Sequence, residues 1–126
     1  MVAAIRVHKH GGPEVLTFEE IEIPAPGQGQ IKIKQYACGV NYIDTYFRTG
    51  QYPAPSLPFV LGNEGAGEVV EVGPGVSDLK IGDRIGYVLT LGGYAAERIA
   101  DAKMLVKLPD SIDYDTAAAM MLKGMT

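Results

Sequence analysis

Pro58-Phe59-Val60-Leu61-Gly62-Asn63-Glu64-Gly65-Ala66-Gly67-Glu68-Val69-Val70-Glu71-Val72-Gly73 is the stretch on which the reading of this chain turns. It is glycine-rich, but its glycines do not follow the G-x-G-x-x-G spacing that opens a helix beneath a dinucleotide phosphate. A strand, Glu68 to Val72, follows it instead, and no P-loop occurs anywhere in the 126 residues. Gly62, Gly65 and Gly67 are therefore expected to satisfy tight backbone geometry rather than to cradle phosphate. A complete cofactor site is not built by these residues.

On either side of this stretch the chain reads as short strands separated by turns. Ala3, Ile5 and Val7 share one face of an opening strand, with Arg6 and His8 on the other. His10-Gly11-Gly12-Pro13 turns the chain, Glu20 to Ile23 alternates, and Ile31-Lys32-Ile33-Lys34 alternates again on its way to Tyr36, Cys38 and Val40. Downstream, Arg84 to Leu89, Tyr94 to Ile99 and Met104 to Leu108 are further strand candidates. Gly and Pro, 16 and 8 residues, are spread along the chain as punctuation. Many short strands with such turns predict a mainly β fold, an antiparallel barrel or sandwich, rather than βαβ units. Two helices interrupt the pattern. Asn41 can cap one that runs to Arg48 and ends at Gly50, and an alanine-rich one begins near Ser111 to Asp113.

Composition narrows the function classes. A net charge of −4 offers nucleic acid or an anionic membrane no basic footprint. Cys38 is the lone cysteine, so no internal disulfide forms, and a reducing cytoplasmic location is expected. No apolar run reaches transmembrane length. The largely apolar helix that begins near Ser111 to Asp113 would ordinarily pack on something downstream.

The quoted stretch, together with Lys80-Ile81-Gly82-Asp83-Arg84-Ile85, His8 to Leu16 and Gly39-Val40-Asn41-Tyr42-Ile43-Asp44-Thr45-Tyr46, resembles the medium-chain dehydrogenase/reductase superfamily. Within it the chain resembles the zinc-independent bacterial NADPH:quinone oxidoreductases over essentially its whole length. The resemblance implies a GroES-like barrel over 1–110 and, over 111–126, the start of a connection to a Rossmann domain, absent from this chain, that binds most of the NADPH. It implies hydride transfer to a quinone or similar electron-poor conjugated carbonyl, and a homodimeric full-length form.

Two departures from the alcohol dehydrogenase pattern bear on the chemistry. Asn41 stands where those enzymes place a zinc-ligating cysteine, and Asn63 where they place a zinc-ligating histidine. Neutral amides are poor Zn²⁺ ligands. The cysteine-rich lobe that holds structural zinc is also missing, so no zinc is expected. A quinone accepts hydride without a Lewis acid, and hydrogen-bond donors suffice for the resulting oxyanion.

On residue type alone Asn41 is a helix N-cap, whereas the resemblance has it hydrogen-bond the nicotinamide ribose; a carboxamide can do both. Tyr46 follows Tyr42 by four residues and shares its helical face. The resemblance implies that Tyr46 reaches the cofactor phosphate or ribose, that Tyr42 packs, and that Ile43 lines the nicotinamide pocket. Tyr52, in the proline-stiffened loop after Gly50, is expected to wall the quinone ring. Tyr52 and Asn41 are thus the catalytic candidates, and Asn41, Ile43, Tyr46 and Thr126 the cofactor contacts, Thr126 near the nicotinamide carboxamide. Asp44 and Glu64 can be read as paired acids. The structural alternative has Asp44 bond local backbone and Glu64 anchor a turn or pair with Arg48 or Arg84. His8 and His10 are expected at the surface.

Three other readings stay open. A zinc-free enoyl or alkenal reductase would use the same fold. A crystallin-like or RNA-binding role occurs among relatives of the family, though the acidic balance gives nucleic acid no support. A free-standing GroES-like binding domain without catalysis is the third.

Overall fold

The computed structural model describes residues 2–52, 57–88 and 91–118. Its strands are β1 (Val2–Val7), β2 (Leu16–Ile21), β3 (Gln30–Gly39), β4 (Phe59–Val60), β5 (Glu64–Val72), β6 (Arg84–Val88), β7 (Glu97–Asp101) and β8 (Val106–Lys107). One α-helix, α1 (Tyr42–Thr49), lies between β3 and β4, and a second, α2, covers 114–118 of the described residues. All pairings are antiparallel, in a three-stranded sheet β2-β1-β4 and a five-stranded sheet β7-β3-β5-β6-β8. The mainly β expectation holds.

Residues 94–96 join the two sheets. The amide of Ile5 donates to Tyr94 O and that of Ala96 to Ala3 O, while Gln35 N donates to Ala96 O. The segment is thus bonded to β1 on one side and β3 on the other, and the sheets close on each other. The join changes which residues of β1 are buried but not their alternation: Arg6 and His8 share a face, as expected, both meeting Glu19. Ala4, paired with Ala95 across the seam, is buried along with Val7, while Ala3 and Ile5 are only half-buried. It also moves the strand expected at Tyr94 to Ile99, because regular pairing begins at Glu97.

The larger core cluster is built on the five-stranded sheet, and Val7, Val15, Phe59 and Leu61 form a second one beside β1 and β4. Ile31 and Ile33, the period-2 pair of β3, are wholly buried with Val69, Ile85, Tyr87 and Ala100. Burying each such aliphatic side chain contributes roughly 1.5–3 kcal/mol. Three further boundaries differ from expectation. β2 begins at Leu16 rather than Glu20, because its register on β1 runs from Val7↔Leu16 to Val2↔Ile21. β8 is only two residues, preceded by a 3-10 turn at Ala102–Met104. β5 starts at Glu64, so Gly65 and Gly67 lie inside a strand and not in a turn before one. Gly62 does sit in a turn, at φ +103°, where a Cβ would meet Tyr94 Cδ1 at 2.6 Å.

α2 opens on Asp113, whose Oδ1 accepts from Thr116 N at 2.7 Å, and buries Ala117 and Ala118 against Ala66 of β5. Its preceding turn is tied down by Arg84, which donates to Pro109 O (2.8 Å) and Ile112 O (2.6 Å) and lies 4.5 Å over the Tyr114 ring. Tyr114 stacks in turn on Tyr36, ring centres 4.7 Å apart. Thr126 lies outside the described residues. Among those residues, no helix is long and apolar enough to cross a membrane.

Candidate functional site

The site grows from the end of β3 and the start of α1. Gly39 and Val40 carry the chain off the sheet, and Asn41 sits at the N-cap in extended backbone (φ −128°, ψ 157°). Its amide donates to Asp44 Oδ2 at 3.1 Å, so the acid three residues on closes back over the cap. Gly50, left-handed at φ +88°, ends the helix as the sequence predicts.

Asp44 is only 3% exposed, and it does more than bond the local backbone. Its Oδ1 accepts from Asn63 Nδ2 at 2.9 Å, and its Oδ2 accepts a short hydrogen bond from the Tyr94 hydroxyl. Burial, and then the bond to the Asp44 carboxylate, push the Tyr94 hydroxyl well above the ordinary tyrosine pKa. Glu64, 1% exposed, accepts from Asn41 Nδ2 at 2.6 Å.

The expected arginines are engaged elsewhere. Arg48 donates to Gly11 O, and Arg84 is committed to Pro109 and Ile112. The two acids serve two different amides, Asp44 that of Asn63 and Glu64 that of Asn41. With Asp44 in the first turn of α1, that helix end is already complemented by negative charge and is no anion cradle.

Asn41 and Glu64 open onto a cleft of about 340 Å³ that Ala37, Gly39, Asp115 and Ala118 also line. Cys38 lies at its edge. Its thiol is pushed up, chiefly by desolvation and further by the Asp44 carboxylate, which disfavours the reactive thiolate. Among the described residues, no three His, Cys, Asp or Glu side chains gather to hold a metal ion.

The aromatic candidates lie along α1. Tyr46 is half-buried between Tyr42, whose ring is 6.0 Å away edge-on, and Tyr52 at 5.1 Å. Tyr52 also meets Phe47 edge-on at 5.7 Å, and its amide donates to Tyr46 O. Tyr42 is 79% exposed, so it is a surface ring and not the packing residue expected. Ile43 is half-buried on the intervening turn. Tyr52 thus folds back beside the middle of α1, while Asn41 caps its start. His8 and His10 are exposed, as expected.

Sequence reasoning missed the bond between Asn41 and Glu64 and the role of Tyr94. Both partners are distant in sequence, 23 residues from Asn41 and 50 from Asp44, and local spacing carries no signal for such pairs. The one clue was two acids flanking apolar and glycine residues, where a charge must find a partner if buried.

Comparison with known proteins gives one family match: the alcohol dehydrogenase GroES-like domain, over residues 27–110. The quinone oxidoreductase of Pseudomonas aeruginosa is 46% identical over 127 residues, covering 100% of this chain and 39% of that protein. The 2-haloacrylate reductase of a Burkholderia species is 44% identical over 133 residues, covering 100% of this chain and 40% of that one. Among solved structures, the Escherichia coli quinone oxidoreductase complexed with NADPH superposes with a TM-score of 0.94 at 45% identity, over 98% of this chain and 38% of its own. The chain thus spans about 39% of the length of the relatives it matches.

Proposed function

Since the chain belongs to the alcohol dehydrogenase GroES-like domain family, we propose that it forms the substrate-side half of a cytoplasmic, zinc-free reductase that transfers hydride from NADPH to a quinone. Residues 1–110 are the barrel, and 111–126 begin the connection to a dinucleotide-binding domain. When bound, the nicotinamide of NADPH supplies the hydride. The chain's own residues orient donor and acceptor and keep water out.

The observation that carries this reading is Asn41, placed at the mouth of a cleft with its backbone held by Asp44 and its carboxamide held by Glu64. A fixed amide of this kind suits a ribose hydroxyl, to which its second N–H can donate. Ile43 and Tyr46 continue the wall along α1. Tyr52 offers an aromatic face and a hydroxyl donor to the acceptor ring, where the donor would stabilise the developing oxyanion. Thr126 completes the nicotinamide end.

The zinc-free part of the reading rests on the donor set. Asn41 and Asn63 carry amides, and each turns its Nδ2 to a carboxylate. No basic patch favours nucleic acid at net charge −4. The test is NADPH oxidation with 1,4-benzoquinone by this chain and by a form extended through a dinucleotide-binding domain, each with and without a zinc chelator. Turnover by the extended form, unchanged by chelator, is expected. Loss of turnover with chelator would overturn the zinc-free reading, and no quinone turnover would overturn the acceptor.

The 44% identity to a 2-haloacrylate reductase favours a second reading, reduction of an activated carbon–carbon double bond conjugated to a carboxyl or carbonyl group. The same assay with an α,β-unsaturated acid as acceptor separates the two.

A further inference from the structure

We propose that Glu64 is a positioning residue that sets the orientation of the Asn41 carboxamide, and through it the grip on the nicotinamide end of the dinucleotide. The inference rests on Asn41 being a cofactor contact. Its own content is which residue controls that contact and how.

A carboxylate accepts hydrogen bonds and donates none, so the nitrogen end of the amide must face Glu64. Turning the amide over would set its oxygen against a carboxylate oxygen at the 2.6 Å separation now spanned by a hydrogen bond. The orientation of Asn41 is thus decided by charge, whereas its backbone is placed separately by Asp44.

The fold holds the Glu64 side chain tightly. It is the first residue of β5, the central strand of its sheet, paired with Gly39 of β3 on one side and Val88 of β6 on the other. A Cβ on Gly39 would lie 2.2 Å from Glu64 Oε1 and 2.6 Å from Ala118 O. Glycine at 39 is what makes room for this carboxylate beneath the cleft. An exposed acid could wander among rotamers; this one has 1% of its surface free.

A merely structural pair would use the same hydrogen bond to hold α1 against β5. The two roles part in what a substitution moves. Loss of a structural pair lowers stability and active fraction together, while loss of a positioning residue raises the NADPH KM with kcat and fold retained.

The experiment has two arms, with Glu64→Ala, Glu64→Gln, Asn41→Ala and the Asn41→Ala/Glu64→Ala double variant. In this chain, the side-chain amide protons of Asn41 are followed by NMR for shift and solvent exchange. In the extended form, KM for NADPH and kcat with 1,4-benzoquinone are measured. In the first arm Glu64→Ala is expected to collapse the two Asn41 proton shifts toward those of a free amide and speed their exchange. Glu64→Gln, a neutral acceptor of the same shape, is expected to restore part of the difference. In the second arm Glu64→Ala and Asn41→Ala should each raise KM about tenfold, the scale of a lost hydrogen bond to a charged group. The double variant should be no worse than about twofold beyond either single one, because both remove the same contact. Unchanged Asn41 amide signals in Glu64→Ala would overturn the orienting role. Freed amide signals with an NADPH KM indifferent to Asn41→Ala would instead overturn the cofactor reading, and the proposal with it. Fully additive KM effects would show two independent contacts and also overturn it.

Discussion

Replacing Asp44 by alanine removes the acceptor of three hydrogen bonds at once: from Asn41 N (3.1 Å), from Asn63 Nδ2 (2.9 Å) and from the Tyr94 hydroxyl. Asp44 and Asn63 are 3% and 2% exposed, so water does not readily replace the lost partner at the asparagine. Each bond to a charged acceptor contributes about 1.5–3 kcal/mol, but the three share one group and do not add. Removing the carboxylate also lifts the burden of burying a charge. Leaving a buried neutral donor without its acceptor costs about 1–3 kcal/mol, and the Asn63 amide and Tyr94 hydroxyl both lose theirs. We expect a loss of about 3 kcal/mol, a large share of the roughly 5–15 kcal/mol that holds a typical domain together.

With a urea m-value of about 2 kcal/mol/M, that loss moves the unfolding midpoint down by about 1.5 M. Asp44→Asn keeps the shape and one acceptor oxygen, so a drop of about half that size is expected. The measurement is equilibrium urea denaturation by circular dichroism, with m compared between variants. A midpoint for Asp44→Ala within about 0.3 M of the parent, at unchanged m, would refute the claim that this acid organises the site.

Glu19 gives a pH prediction. Arg6 donates to both of its oxygens and His8 approaches one, which lowers its pKa to about 2. The folded-state value lies below the unfolded one, so the stabilisation is present above about pH 4.5 and lost as pH falls toward about 2. A Glu19→Gln variant should show a flatter fall of Tm between pH 5 and 2; an identical slope would contradict the pairing. Arg84→Ala removes two bonds to the 109–112 turn and the contact over Tyr114, and should lower stability by about 1–2 kcal/mol. Faster hydrogen exchange at the Ala117 amide is the sign that α2 has come loose, and unchanged exchange there would sink the idea.

What the sequence reveals and what it hides divides by distance along the chain. Ile31 and Ile33 could be read as core because alternation is a property of neighbouring residues, and β3 indeed buries both. The cap at Asn41 and the stop at Gly50 are similarly local. β2 was harder. Phe18 is 72% exposed in its middle, and its limits are decided by register on β1 rather than by any alternation of its own. Glu64 was read before a strand because three glycines surround it, yet pairing with β3 and β6 on both sides overrides their weak strand propensity. Tyr42 shows the converse error. Its spacing to Tyr46 correctly brings the rings together, but spacing does not say which side of the helix faces solvent.

The buried acids also bear on why the site lies where it does. Glu64 and Asp44 are the buried carboxylates among the described residues, and an apolar pair of similar volume would generally hold a core together as well or better. Asp44 accepts from Asn63 Nδ2, Asn41 N and the Tyr94 hydroxyl, and Glu64 accepts from Asn41 Nδ2. Orientation gives a reason for a carboxylate beside Asn41, because a charged acceptor leaves a carboxamide a single way round. Local rules of folding are broken together at the β3–α1 junction, around a cleft, and departures of that kind gather at functional sites more than elsewhere. The aromatic group along α1 breaks no such rule, which is why its members could be named from the sequence while the acids' partners could not.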